Sequence, residues 1–182
     1  MRLACPEDPG VPLHVVQRGP SACFPVARDC IAYLEALREA AAGERCAVHA
    51  YALMSNHVHL LFTPSRAGGA TRLMRAAADG YGRHLSAAHG FEGELWEQGF
   101  DATPVHARRY FFHCMRYIEA NPVRARLVRE PGDYRWSSWR ANALGEDDAL
   151  VAPHPWYCAL GRSRGERCTT YRAGSAQLLS LR

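Results

Sequence analysis

Two short runs of strand-forming residues, AVHAYALM (47–54) and HVHLLF (57–62), are separated only by Ser55-Asn56. A two-residue gap leaves room for nothing but a tight reversal, and asparagine tolerates the left-handed backbone such a turn needs. The pair predicts an antiparallel hairpin, closed at its far end by Pro64. Alternate side chains of a strand share a face. His57 and His59 therefore point one way, and Val58, Leu60 and Phe62 point to the opposite, apolar side.

The rest of the chain extends this hairpin. Leu13 to Arg18 (LHVVQR) reads as a strand stopped by Gly19-Pro20. Residues 27–42 place Ile31, Leu34, Leu37 and Ala41 at helical spacing, ending at Gly43. Gly68-Gly69 marks a loop, and Thr71 is the expected N-cap of a helix reaching about His89. The stretch 93–106 contains LWEQGF and a fourth strand. Arg108 to Asn121 predicts a third helix, stopped by Pro122. Strand–helix–strand–strand–helix–strand is the split βαβ, ferredoxin-like order of an α+β fold: an antiparallel sheet with helices on one face, here followed by an extra helix. Residues 1–12 read as a Pro/Gly-rich lead-in and 13–142 as one folded domain. Residues 143–182 lose clear periodicity and read as a loosely packed C-terminal tail.

Composition excludes several classes. The 182 residues fit one domain, and 48% apolar with 22% charged residues describes a globule, not a disordered chain. No apolar run approaches the roughly 18–20 residues a spanning helix needs. The first residues carry Glu7, Asp8 and three prolines and do not look like a signal peptide. Seven cysteines without a C-x-x-C pair argue against a cysteine-rich zinc cluster or a disulfide framework. A cytoplasmic protein with reduced thiols is expected, with no membrane partner and no nucleotide cofactor. All 22 basic residues are arginine and the net charge is +4. Between Arg108 and Arg140, eight arginines face three acidic residues, a local +5. A concentrated basic stretch is the electrostatic footprint of a nucleic-acid surface, although a solvated helix face carries the same pattern.

Two groups of residues could carry chemistry. His57 and His59 on one strand face make half of a metal site; a pair of exposed histidines has the same spacing. On the third helix, Phe111, Met115 and Ile118 form the buried stripe. Tyr117 and Asn121, four apart, share a different face with His113 one turn earlier and Tyr110 nearby. A phenol, an amide and an imidazole beside a two-histidine strand can form one site.

The stretches HVVQRG (14–19), AVHAYALMSNHVHLLFTP (47–64), LWEQGF (95–100), MRYIEANPVRARLV (115–128) and DYRWSSWRA (133–141) resemble the REP-associated tyrosine transposases, single-tyrosine members of the HUH endonuclease superfamily. The resemblance spans about 14–141 with the motifs in the same order. It implies a ferredoxin-like HUH nuclease domain over 13–142. It further implies His57 and His59 as the histidine pair, Tyr117 as the nucleophile, and Asn121 as the polar residue completing metal coordination. The implied substrate is single-stranded DNA beside a hairpin. The implied metal is Mg²⁺ or Mn²⁺, and the implied state is a monomer in preference to a dimer. Arg18, Arg109, Arg116 and Arg124 are then candidate phosphate contacts. Trp96, Trp136 and Trp139 can stack on bases or fill the core.

The chain departs from the family pattern in three places: LWEQGF lacks the usual basic residue at Gly99 or Phe100, NPVRAR ends in Arg126 where the family has glycine, and the lead-in before His14 is short and unusual. Two other readings stay open. One is a non-catalytic hairpin-binding relative. The other is a zinc hydrolase using His57, His59 and a third ligand such as His113.

Overall fold

The computed structural model describes residues 8–97 and 99–179, with side chains up to 175. Residues 1–7 of the lead-in and 180–182 of the tail lie outside the described residues. Four strands, β1 (Leu13–Arg18), β2 (Cys46–Leu53), β3 (His57–Pro64) and β4 (Asp101–Pro104), form one sheet in the order β2-β3-β1-β4. Every pairing is antiparallel. This is the ferredoxin-like order predicted from the element sequence. The hairpin closes across Ser55-Asn56, with Met54 N donating to His57 O at 2.8 Å, but neither turn residue takes the left-handed backbone expected there.

One face of the sheet packs on α1 (Ala27–Glu44) and α2 (Gly69–His89). Leu13, Val15, Val58, Leu60 and Phe62 meet Tyr33, Leu37, Leu73 and Tyr81 in a closed apolar core. The buried stripe of α1 is Cys30, Tyr33, Leu37, Ala40 and Ala41, with Ile31 exposed. That stripe is rotated from the predicted one because Tyr33, the largest side chain available, takes the sheet-facing position. Helix α2 starts two residues before the expected cap at Thr71, with Gly68 in the left-handed conformation ahead of it.

The other face carries Ala50, Ala52 and Leu61 and is covered by α3 (Arg108–Arg124) through Phe111, Met115 and Ile118. Pro122 does not stop α3, as the sequence suggested. It sits in the last turn, where its missing N–H removes one bond only. The helix closes beyond it: Leu127 N donates to Pro122 O and Arg126 N to Val123 O, both at 2.9 Å, with Arg126 at φ +59°. That is a Schellman motif with arginine in the position glycine favours.

The expectation of loose packing beyond 142 is not met. Ala143, Tyr157 and Tyr171 are buried in the second core, the last two on α4 (Pro155–Cys158) and α5 (Arg164–Leu179). The chain after α3 also runs along the free edge of β2. Leu53 N donates to Trp136 O (2.9 Å), Ser138 N to Tyr51 O (3.0 Å) and Ala152 N to Val48 O (2.7 Å). Covering an edge strand removes a site of unwanted pairing. Periodicity missed this segment because polar contacts hold much of it. Glu119 of α3, fully buried, accepts hydrogen bonds from Ser138 Oγ (2.6 Å), Asn142 Nδ2 (2.8 Å) and Tyr171 Oη (2.6 Å). Burial pushes its carboxyl above the ordinary value, and these donors oppose the rise. The network fixes α3 in rotation, and with it the side chains two residues before.

Candidate functional site

The strand register assembles the site. Val16 lies opposite His59 and Arg18 opposite His57, so β1 presents His14, Val16 and Arg18 on the face that carries the two histidines. His57 and His59 sit with ring centroids 4.9 Å apart and nearly perpendicular. His57 Nδ1–H donates to Asn56 Oδ1 at 2.8 Å, which leaves the lone pair on Nε2. His59 Nδ1 lies 3.3 Å from His14 Nε2, and the two rings stack.

Tyr117 closes the arrangement from α3. Its ring meets His59 edge-on at 5.8 Å and His14 edge-on at 6.0 Å. Sequence reasoning missed His14, a lone histidine whose partner appears only when β1 is registered against β3. His14, Tyr110, His113, Cys114 and Tyr117 line a cleft of about 230 Å³. The His113 ring stacks parallel to Tyr117 at 6.5 Å. Asn121 donates its Nδ2 to the Tyr117 carbonyl at 2.9 Å, so the bond occupies the amide nitrogen and not Oδ1.

The electrostatics keep the imidazoles neutral. Burial pushes His59 down to about 3, aided by His57, His14 and Arg18; burial, then His113, pushes His14 down to about 4. His57 is lowered by burial and then by Arg18. Neutral imidazoles with anchored Nδ1 atoms are what a metal requires of histidine ligands. His57 and His59, with the Asn121 amide oxygen one turn beyond Tyr117, are donor types that could hold a divalent cation.

The four candidate arginines separate. Arg124 lies with its guanidinium 5.2 Å over the Tyr117 ring. Arg18 sits at the histidine end of β1, half-exposed and paired with Asp101 at 2.6 Å. Arg109 is exposed at the start of α3. Arg116 is not with them: its guanidinium packs over Phe112 and Tyr171, against Gly174. Adjacent positions on a helix point about 100° apart, which sends Arg116 into the second core while Tyr117 faces the sheet. Trp96 and Trp139 are core residues, and Trp136 is half-buried beneath Arg135.

A family model described as IS200-like transposase matches residues 26–121. Among solved structures, one similar to this chain is that of the REP-associated tyrosine transposase bound to a REP hairpin. Its TM-score is 0.67 at 15% identity, covering 85% of this chain and 92% of that one. A protein from Deinococcus radiodurans R1 gives a TM-score of 0.44 at 19% identity, covering 65% and 96%. No curated protein matches the sequence.

Proposed function

The chain belongs to the IS200-like transposase family, and from that premise we propose that it is a metal-dependent single-stranded DNA endonuclease and strand transferase with Tyr117 as nucleophile. The observation that carries the reading is the contact between the Tyr117 and His59 rings, at 5.8 Å within one chain. It also supports a site built in cis, and so a functional monomer.

In this reading Tyr117 Oη gives up its proton to solvent, which reaches the half-buried ring, and attacks the scissile phosphorus. The P–O3′ bond breaks. The 3′ oxygen leaves with a proton as a free hydroxyl, and a 5′-phosphotyrosyl bond forms. The phosphodiester energy stays in that bond, so a second 3′-OH can reverse the step and join strands. Arg124, Arg18 and Arg109 place the backbone phosphates, and Arg124 also offsets charge at the tyrosine oxygen. A divalent cation held by His57, His59 and Asn121 would polarise the phosphate and neutralise the charge developing on it. The imidazole pair makes the site a better match for Mn²⁺ than for Mg²⁺. Hairpin DNA is the proposed substrate, in keeping with the hairpin on the structurally similar transposase.

Incubating the protein with Mn²⁺ and a labelled single-stranded oligonucleotide bearing a hairpin tests this. A denaturation-resistant adduct with the wild type and none with Tyr117→Phe is expected. The same adduct with Tyr117→Phe would move the nucleophile to Tyr110. Hairpin binding with no adduct under any metal would favour the non-catalytic reading.

A further inference from the structure

A second convergence of ligand atoms lies across the sheet from Tyr117, between α1 and α2. Asp29, in the first turn of α1, is wholly buried. His84 Nε2 and His89 Nε2, from the last part of α2, each lie 2.9 Å from the same carboxylate oxygen, Oδ1. The other oxygen, Oδ2, accepts from Val26 N at 3.0 Å. The carboxylate is therefore held in place by the backbone while two imidazoles share its remaining oxygen. The Tyr81 ring stacks parallel to His84 and orients it.

Two imidazole nitrogens from different turns of α2 converge on that one oxygen. One atom from each of the three residues falls within 4.8 Å of the others. Tetrahedral zinc with bonds near 2.0–2.1 Å holds its ligand atoms about 3.3 Å apart, so the two N···O distances need open by only about 0.4 Å. Burial opposes ionisation of Asp29, and hydrogen bonds from His89, His84 and Val26 N outweigh it, leaving the carboxyl below its ordinary value. A buried carboxylate is stabilised by a cation held against it. His84 and His89 keep about a quarter and a third of their side-chain surface exposed, at 25% and 36%, which gives an ion a path in and a water its place as fourth ligand.

We propose that Asp29, His84 and His89 form a second metal site, separate from the His57/His59 pair, which takes Zn²⁺ and clips the start of α1 to the end of α2. Imidazole and carboxylate donors in a three-plus-water set match zinc. The role is structural: on the far side of the sheet from Tyr117, the ion tightens the layer on which the sheet rests.

The test uses the full chain carrying His57→Gln and His59→Gln, so that the first site contributes nothing. Zinc is titrated against a chromophoric chelator, and Co²⁺ is added in parallel for its visible absorption. One tightly bound Zn²⁺ per chain, an intense tetrahedral Co²⁺ spectrum and a Tm raised by zinc are expected. Adding His89→Gln, whose amide can still donate to Asp29, should weaken zinc by more than the roughly 10–100-fold that loss of a supporting residue costs. His84→Gln should do the same, and serves if the first variant folds poorly. The proposal is overturned if the His57/His59 variant binds no zinc, or if His84→Gln and His89→Gln leave its affinity unchanged. Either result leaves the tyrosine-adduct assay untouched, so the two readings fail separately.

Discussion

His14 Nε2 approaches His59 Nδ1 to 3.3 Å, although 45 residues separate them. A histidine that ligates through Nε2 is held best when its Nδ1–H is taken by a neighbour. His14 fills that place for His59, as Asn56 does for His57. Replacing His14 with Phe keeps the bulk and removes the acceptor. Mn²⁺ affinity should fall about 10–100-fold, and adduct formation should need correspondingly more metal, with recovery at saturation. An unchanged Mn²⁺ dependence would remove His14 from the site.

Arg124 stands over the ring of Tyr117, its guanidinium carbon 5.2 Å from the ring centroid. In the proposed reaction it contacts the phosphate being transferred. Arg124→Gln should slow adduct formation and flatten the salt dependence of single-stranded DNA binding by about 0.7 in log–log slope, the value of one lost phosphate contact. Arg116→Gln should leave that slope alone, since its guanidinium is stacked in the core. Equal slopes for wild type and Arg124→Gln would show that this arginine only packs.

What could be read along the chain and what could not divide on a physical line. Short strand-forming runs bounded by Gly, Pro and Asn gave away β1, β2 and β3, and the face that His57 and His59 share follows from the alternation along β3. Helical spacing set Tyr117 on a face apart from Phe111, Met115 and Ile118, and the family resemblance implied its role. His14 did not, because its meaning depends on the register of β1 against β3. Asp29, His84 and His89 escaped for the same reason: packing of α1 on α2 joins residues 55 and 60 positions apart. The segment after α3 escaped because its order rests on Ser138, Asn142 and Glu119, polar residues that carry no apolar period.

Glu119 is the centre of that polar order. Glu119→Ala leaves the Tyr171 hydroxyl buried and unpaired, while Asn142 Nδ2 keeps its bond to His49 O and Ser138 Oγ can turn to Tyr51 O. At about 1–3 kcal/mol for an orphaned donor, with the cavity added, the variant should lose about 2–4 kcal/mol in urea unfolding. Glu119→Gln, which retains an acceptor, should lose much less. Equal losses would mean that the cavity dominates the cost and the hydrogen bonds do not.

Arg126 occupies a left-handed backbone position at the end of α3 with an exposed side chain. A side chain there is strained, and glycine is not. Arg126→Gly should stabilise the protein by about 0.5–1 kcal/mol, the strain relieved exceeding the entropy that glycine returns to the unfolded chain. The midpoint of urea unfolding would rise with no change in slope. A lower midpoint would show that the Arg126 side chain stabilises by more than its backbone costs.

His49 is the extra residue of a bulge in β2, between Val48 opposite Phe62 and Ala50 opposite Leu61. Its buried ring donates from Nδ1 to Ala152 O at 2.7 Å, so Nε2 accepts from the Thr63 hydroxyl at 2.8 Å. The neutral ring satisfies both partners. Burial pushes its pKa down to about 4 from 6.5, with His154 beside it adding to the fall and the Ala152 bond opposing it. The folded pKa lies below the unfolded one, so the unfolded chain binds the proton first. The contribution of His49 to stability is therefore complete above pH 6.5 and is lost as pH falls from there toward 4, by up to about 3 kcal/mol. His49→Gln cannot titrate. It should be less stable than the wild type at pH 7.5, and the gap in unfolding free energy should close progressively at pH 5.5 and 4.5. Parallel stability curves for the two proteins would show that His49 takes up its proton as readily folded as unfolded.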